Sequence, residues 1–175
     1  MTKVEHRILV NVPVAVAYNQ WTQFEDFPRF MEGVKEVRQL DAQRLYWRAS
    51  IGGKEEEWEA SITEQSPDMR IAWRSTSGNE NAGAVTFQPL SDNSTRVHLT
   101  LTYQPEGAVE KTGDALGMVS RRVEGDLERF KEFVESRGAE TGAWRGEIHA
   151  GRVERGGSGS SGTTGSSGSS GTSRR

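Results

Sequence analysis

The sequence predicts an α+β fold, a curved antiparallel sheet wrapped around one long C-terminal helix, with two short helices after the first strand. Three observations carry this expectation. Apolar residues recur every second position in short runs between residues 34 and 103, the strand signature. They recur at three- and four-residue steps from Leu116 to Val134, the signature of a helix face. A strand-like segment and two helix-like ones come before both. One sheet with a single dry face has to cover that face, and the late helix is the element long enough to do so.

The elements follow in order. Val4, Ile8, Val10 and Val12 alternate with more polar neighbours, as in a half-buried strand. Pro13 ends the pairing and suits the first position of a helix, where no N–H donor is needed. Val14, Ala17, Tyr18, Trp21 and Phe24 then recur mostly at helical spacing. A second short helix or turn holds Phe27, Phe30 and Met31, with Pro28 near its start and Gly33 at its end. A short strand around Val37 opens the meander. Leu45, Trp47, Ala49 and Ile51 alternate up to a Gly52-Gly53 turn, and Trp58, Ala60 and Ile62 alternate up to a Ser66-Pro67-Asp68 turn. Ile71, Trp73 and Ser75 share the next strand face; Val85 and Phe87 the one after, ended by Pro89 and Ser91-Asp92-Asn93. Val97, Leu99, Leu101 and Tyr103 complete an antiparallel sheet with one dry face. The final stripe is Leu116, Val119, Val123, Leu127, Phe130 and Val134. It predicts a helix from near Ala108 to near Gly138, about 45 Å long at the usual rise per residue.

Residues 1–138 therefore read as one ligand-binding-sized domain, 139–155 as a connector with Trp144 as its large aromatic, and 156–175 as a Gly/Ser/Thr tail. The tail has too little apolar surface to offset chain entropy and is expected to be disordered. Net charge is −3, from 22 basic and 25 acidic residues interspersed along the chain, which argues against a nucleic-acid partner. No apolar run is long enough for stable membrane insertion, and the N-terminus lacks a signal-peptide pattern. The chain has no cysteine, so disulfides and thiolate chemistry are excluded. A cytoplasmic monomer is the expectation.

A strongly curved sheet does not touch a straight helix along its whole length, and the gap is a natural place for an apolar cavity. The run Val10-Asn11-Val12-Pro13 into Tyr18-Asn19-Gln20-Trp21, followed by Phe27-Pro28-Arg29-Phe30-Met31-Glu32-Gly33-Val34-Lys35-Glu36-Val37, resembles the START-related, Bet v 1-like (SRPBCC) superfamily. Within it the chain is most similar to the bacterial polyketide cyclase/dehydrase group, which includes the coenzyme Q-binding START-type proteins. The resemblance runs from about residue 3 to residue 138. It implies a helix-grip fold and a cavity for a lipid, quinone, isoprenoid or polyketide.

On this alternation the inward sheet face carries Trp47, Ile51, Trp58, Ile62, Trp73, Phe87, Leu99 and Tyr103, either as filled core or as cavity lining. Ser75 and Tyr103 are the polar groups that would orient a ligand. On the long helix, Gly113, Gly117 and Ser120 lie four and three residues apart, with Leu116 beside them. Glycine costs about 1 kcal/mol inside a helix, so these positions either leave room for a ligand or permit close packing. No catalytic set is evident. Glu64, Ser75 and Tyr103 are inward-phase polar residues, His6 sits at the rim, His98 points outward and His149 lies in the connector. Histidines so dispersed do not predict a metal site, and no cofactor is expected. Glu55-Glu56-Glu57 and Arg121-Arg122 read as solvated faces, and Gly52-Gly53 precedes no helix, so it is no phosphate loop. The function expected is binding or transport of a hydrophobic small molecule. The alternatives are a cyclase/dehydrase-type enzyme, and an interaction module that uses the Trp144 connector as a docking peptide.

Overall fold

In the computed structural model, which describes residues 2–51, 53–104 and 113–155 (side chains excepted at 51, 113–116 and 155), the period-two segments form one antiparallel sheet. Its strands are β1 (Thr2–Val10), β2 (Val34–Gln39), β3 (Arg44–Ile51), β4 (Lys54–Ser66), β5 (Arg70–Ser75), β6 (Asn81–Ser91) and β7 (Ser94–Tyr103), in the order β1-β7-β6-β5-β4-β3-β2. The six-strand meander is present, and β1 returns to pair with β7 from Thr2↔Tyr103 to Val10↔Thr95. The sheet is curved and unclosed, as the helix-grip expectation requires.

Between β1 and β2 lie helix α1 (Val14–Trp21) and a 3₁₀ helix over Phe24–Arg29. Pro13 stands just outside α1 at φ −59° and ψ 152°, and its carbonyl accepts from the N–H groups of Val16 and Ala17. The long helix α2 spans Gly113–Arg137, about 37 Å at the usual rise; the expected start near Ala108 lies outside the described residues. Gly138 ends it at φ +69°, a conformation that suits glycine because it has no Cβ.

The core is aromatic where α2 meets α1. Phe130 and Trp21, both fully buried, stand at 4.9 Å and 70° between rings, and Phe30 approaches Phe130 at 5.3 Å. Phe27 links Trp21 at 5.5 Å to Trp47 of β3 at 5.7 Å. Leu127 and Val134 complete the buried stripe of α2.

Two expectations are corrected here. Glu64 is not inward. A bulge between Ile62 and Glu64 adds a residue to β4, so Gln65 takes the buried phase at 1% exposure while Glu64 pairs with Arg70 at 3.2 Å. The segment 139–155 is also more than a connector, because it folds back on the domain. Arg145 bonds Asn19 Oδ1 at 2.7 Å and Asp68 at 2.8 Å, and the Trp144 N–H donates to Thr22 Oγ1 at 3.1 Å. A hairpin of β8 (Glu147–His149) and β9 (Arg152–Arg155) then pairs Ile148, fully buried, with Gln65. This extension leaves Trp144 half-buried and engaged with the core, not displayed as a docking peptide.

Phe130→Ala is expected to lower stability by about 3–5 kcal/mol, read from urea midpoints, because it empties the closed end of the core. Tyr18 gives a pH test. Burial pushes its phenol up from 10.0 to about 12, so the folded chain holds this proton more tightly than the unfolded one. The associated stability is complete below pH 10 and is lost as pH rises through about 12. The native chain should lose about 2 kcal/mol more over that alkaline range than Tyr18→Phe does, measured by urea titration at each pH.

Candidate functional site

Opposite the closed aromatic end, the N-terminal half of α2 spans a cavity of about 400 Å³. Its sheet wall is built by tryptophans on adjacent strands. Trp47 of β3 and Trp58 of β4 are direct cross-strand partners, and their rings stack at 5.9 Å with only 3° between planes. Trp73 of β5, with Leu99, Leu101 and Tyr103 of β7, continues the wall. Trp21 closes the inner end. From α2 come Val119 and Val123, which are the first described members of its apolar stripe, together with Met118, Arg122 and Asp126. Polar groups from the segments 31–34 and 79–81, with Ser50 and Gln104, complete the lining.

Gly83 shapes the wall. It lies directly across from Trp73 on β6, and a Cβ there would come within 2.3 Å of the indole and 2.9 Å of Leu101. The missing side chain lets the Trp73 ring lie over the β6 backbone, one of the uses of glycine inside a strand. At the α2 side, burial raises the Asp126 carboxyl above the ordinary range, opposed by hydrogen bonds from Arg129 at 2.5 Å and the Glu32 N–H at 2.9 Å.

The structure divides the residues singled out from the sequence. Trp47, Trp58, Trp73, Leu99 and Tyr103 line the cavity. Ile62 and Phe87 belong to the packed core. Ser75 stays outside the lining, where its Oγ accepts the Asn81 N–H at 3.0 Å. Gly117 and Ser120 also fall outside: a Cβ on Gly117 would meet only the Arg121 side chain at 3.4 Å, and Ser120 Oγ is hydrogen-bonded to His6 Nε2 at 2.9 Å. The reason is rotational phase: 119, 122, 123 and 126 cluster on one side of the helix, Gly117 lies almost opposite them, and Ser120 lies about a quarter turn round, on the flank away from Met118. The side chains of Ile51, Gly113 and Leu116 lie outside the described residues.

Arg122 and Glu56 are the converse correction. The sequence places both on solvated faces, whereas both line the cavity. The flanking signal for Arg122 was present, because it falls between Val119 and Val123 on the apolar side of the helix. Gly83 carried no signal beyond being a glycine inside a strand. Among the described residues one His/carboxylate group converges, Glu147, His149 and Glu154, whose ligand atoms lie within 4.8 Å of one another. It sits on the β8–β9 hairpin, outside the cavity lining, with His149 at 4.0 Å from Glu154.

Comparison with known proteins matches residues 10–132 to a family described as polyketide cyclase / dehydrase and lipid transport. An uncharacterized 17.2 kDa protein of Streptomyces lincolnensis is 52% identical over 149 residues, which cover 85% of this chain and 99% of that one. An aromatase/cyclase from Streptomyces sp. R1128 shares the fold at TM-score 0.65 and 17% identity, over 81% of this chain and 98% of its own. A START superfamily protein from Mycobacterium smegmatis does so at TM-score 0.62 and 17% identity, over 77% and 95%.

Gly83→Ala should force the Trp73 indole off β6 and into the cavity, at a cost of about 1–3 kcal/mol in stability. A shift in tryptophan emission, together with a lowered urea midpoint, is the expected outcome. Unchanged emission would contradict the contact.

Proposed function

The chain belongs to the polyketide cyclase / dehydrase and lipid transport family, and we propose that it holds a hydrophobic small molecule in the cavity between α2 and the sheet. The observation that carries this reading is the cavity itself, about 400 Å³ and walled by the stacked Trp47–Trp58 pair and Trp73. Its volume falls within the roughly 300–1,000 Å³ typical of small-molecule sites. Burying apolar ligand surface there supplies about 25 cal/mol per Å². Indole faces favour flat or conjugated bodies, stacked or edge-on, which suits a quinone or polyketide as well as an unsaturated lipid chain. The half-buried Tyr103 stands beside the apolar wall.

Native mass spectrometry of the gently purified protein, followed by solvent extraction, tests the reading. The expected result is a bound apolar species of a few hundred daltons that is lost on denaturation, or quenching of the tryptophans by added quinones and unsaturated fatty acids. A protein that carries nothing and is quenched by none of them would overturn it.

A further inference from the structure

The cavity is lined by one cation among the described residues, Arg122 of α2. Its Nη1 donates to the Ser50 carbonyl at 3.0 Å. The guanidinium also packs over Gly33, where a Cβ would lie 2.7 Å from Nη1. Gly33 is itself tied to β3, since the Ser50 N–H donates to its carbonyl at 2.7 Å, and its φ of +89° favours glycine. The approach to β2, the end of β3 and α2 together hold the guanidinium at one place on the cavity wall.

A guanidinium has five N–H donors, and among the described residues the Ser50 carbonyl is the one hydrogen-bond acceptor of Arg122. The acidic lining residues form no ion pair with it, because each has a nearer cation, although its charge acts at longer range on Asp126 one turn along the helix. Asp126 and Glu32 pair with Arg129 at 2.5 and 3.6 Å, Glu80 with Arg74 at 3.5 Å, and Glu56 with Lys54 at 3.9 Å. Arg122 has no carboxylate within ion-pair distance among the described residues, although it borders an apolar space. A charge so placed is stabilised by an anion that brings its own oxygens, and the planar fork of arginine matches a carboxylate bidentately.

We infer that Arg122 receives the carboxylate of an amphipathic ligand whose apolar body lies against Trp47, Trp58 and Trp73. The inference rests on the reading that the cavity holds a hydrophobic small molecule. Arg122 is then a specificity-determining residue, and ligands of equal apolar size are sorted by whether they carry an acid group.

The test compares pyrene-1-butyrate with its methyl ester, which share a flat body and differ in charge, by tryptophan quenching at neutral pH. In the native chain the acid is expected to bind about ten-fold more tightly than the ester, the usual scale of a charge-assisted hydrogen bond. Arg122→Gln should abolish the acid's advantage over the ester, and a native-like urea midpoint reports that the variant is folded. Equal affinity for acid and ester in the native chain would overturn the inference without recourse to any variant, as would an acid preference that survives in Arg122→Gln. Binding of the ester with no preference for the acid would leave the cavity reading standing and remove the carboxylate alone. Failure of both pyrene compounds, along with the quinones and fatty acids, would remove the cavity reading and this inference together.

Discussion

Contact between Phe130 of α2 and Trp21 of α1, at 4.9 Å and nearly edge to face, is the constraint on which the remaining architecture depends. It joins the last large element of the fold to the first helix and fills the space under the C-terminal half of α2 with rings. Phe30 and Phe27 extend the same cluster to Trp47 on the sheet. With this end occupied by large side chains, α2 is held away from the sheet and cannot close onto it further along. An unfilled apolar space is unfavourable in proportion to its volume, so a cavity persists only where such a support prevents collapse. Trp21 serves both sides, packing on Phe130 in the core and forming the inner end of the cavity.

Polar fastenings hold the same parts from outside. Gln20, fully buried on α1, exchanges hydrogen bonds with Thr141: its amide Nε2 donates to Thr141 Oγ1 at 3.1 Å, and the Thr141 N–H donates back to Oε1 at 2.9 Å. Thr141 Oγ1 also donates to Asp26 at 2.5 Å, while Asn19 bridges Glu140 and Arg145. Buried amides without partners would each cost about 1–3 kcal/mol; with them, the segment after α2 anchors α1 and the 3₁₀ helix against the sheet. These contacts lie beyond residue 132, where the family match ends. The extension thus fastens α1, which carries Trp21, to β4.

The cavity and its supports differ in chemistry as well as position. The supported end is dry and ring-packed, whereas the open end combines indole faces with a few charged groups. Most of those charges are neutralised in pairs between neighbouring elements, such as Glu32 with Arg129 and Glu80 with Arg74. Arg122 differs because its one acceptor among the described residues is a backbone carbonyl. The site therefore has directional polar character at one place on an otherwise apolar wall.

Much of this was decided by local pattern. The two-residue alternation around Trp47, Trp58, Trp73 and Leu99, and the helical stripe from Val119 to Val134, determined the strands, the helix and the faces they bury, because side-chain direction follows from backbone repeat alone. The same alternation put three tryptophans on one face of adjacent strands, which is why the sheet wall of the cavity was legible. What tertiary structure decided is where repeat is interrupted or where distant segments meet. The bulge after Ile62 exchanged Glu64 for Gln65, a change no periodicity foretells. The rotation of α2 about its axis, set by the docking of Phe130, turned Arg122 to the cavity and Gly117 and Ser120 away from it. The fold-back of 139–155 depends on Ile148 finding Gln65 across more than eighty residues of chain, and pairing at that distance leaves no local mark in sequence.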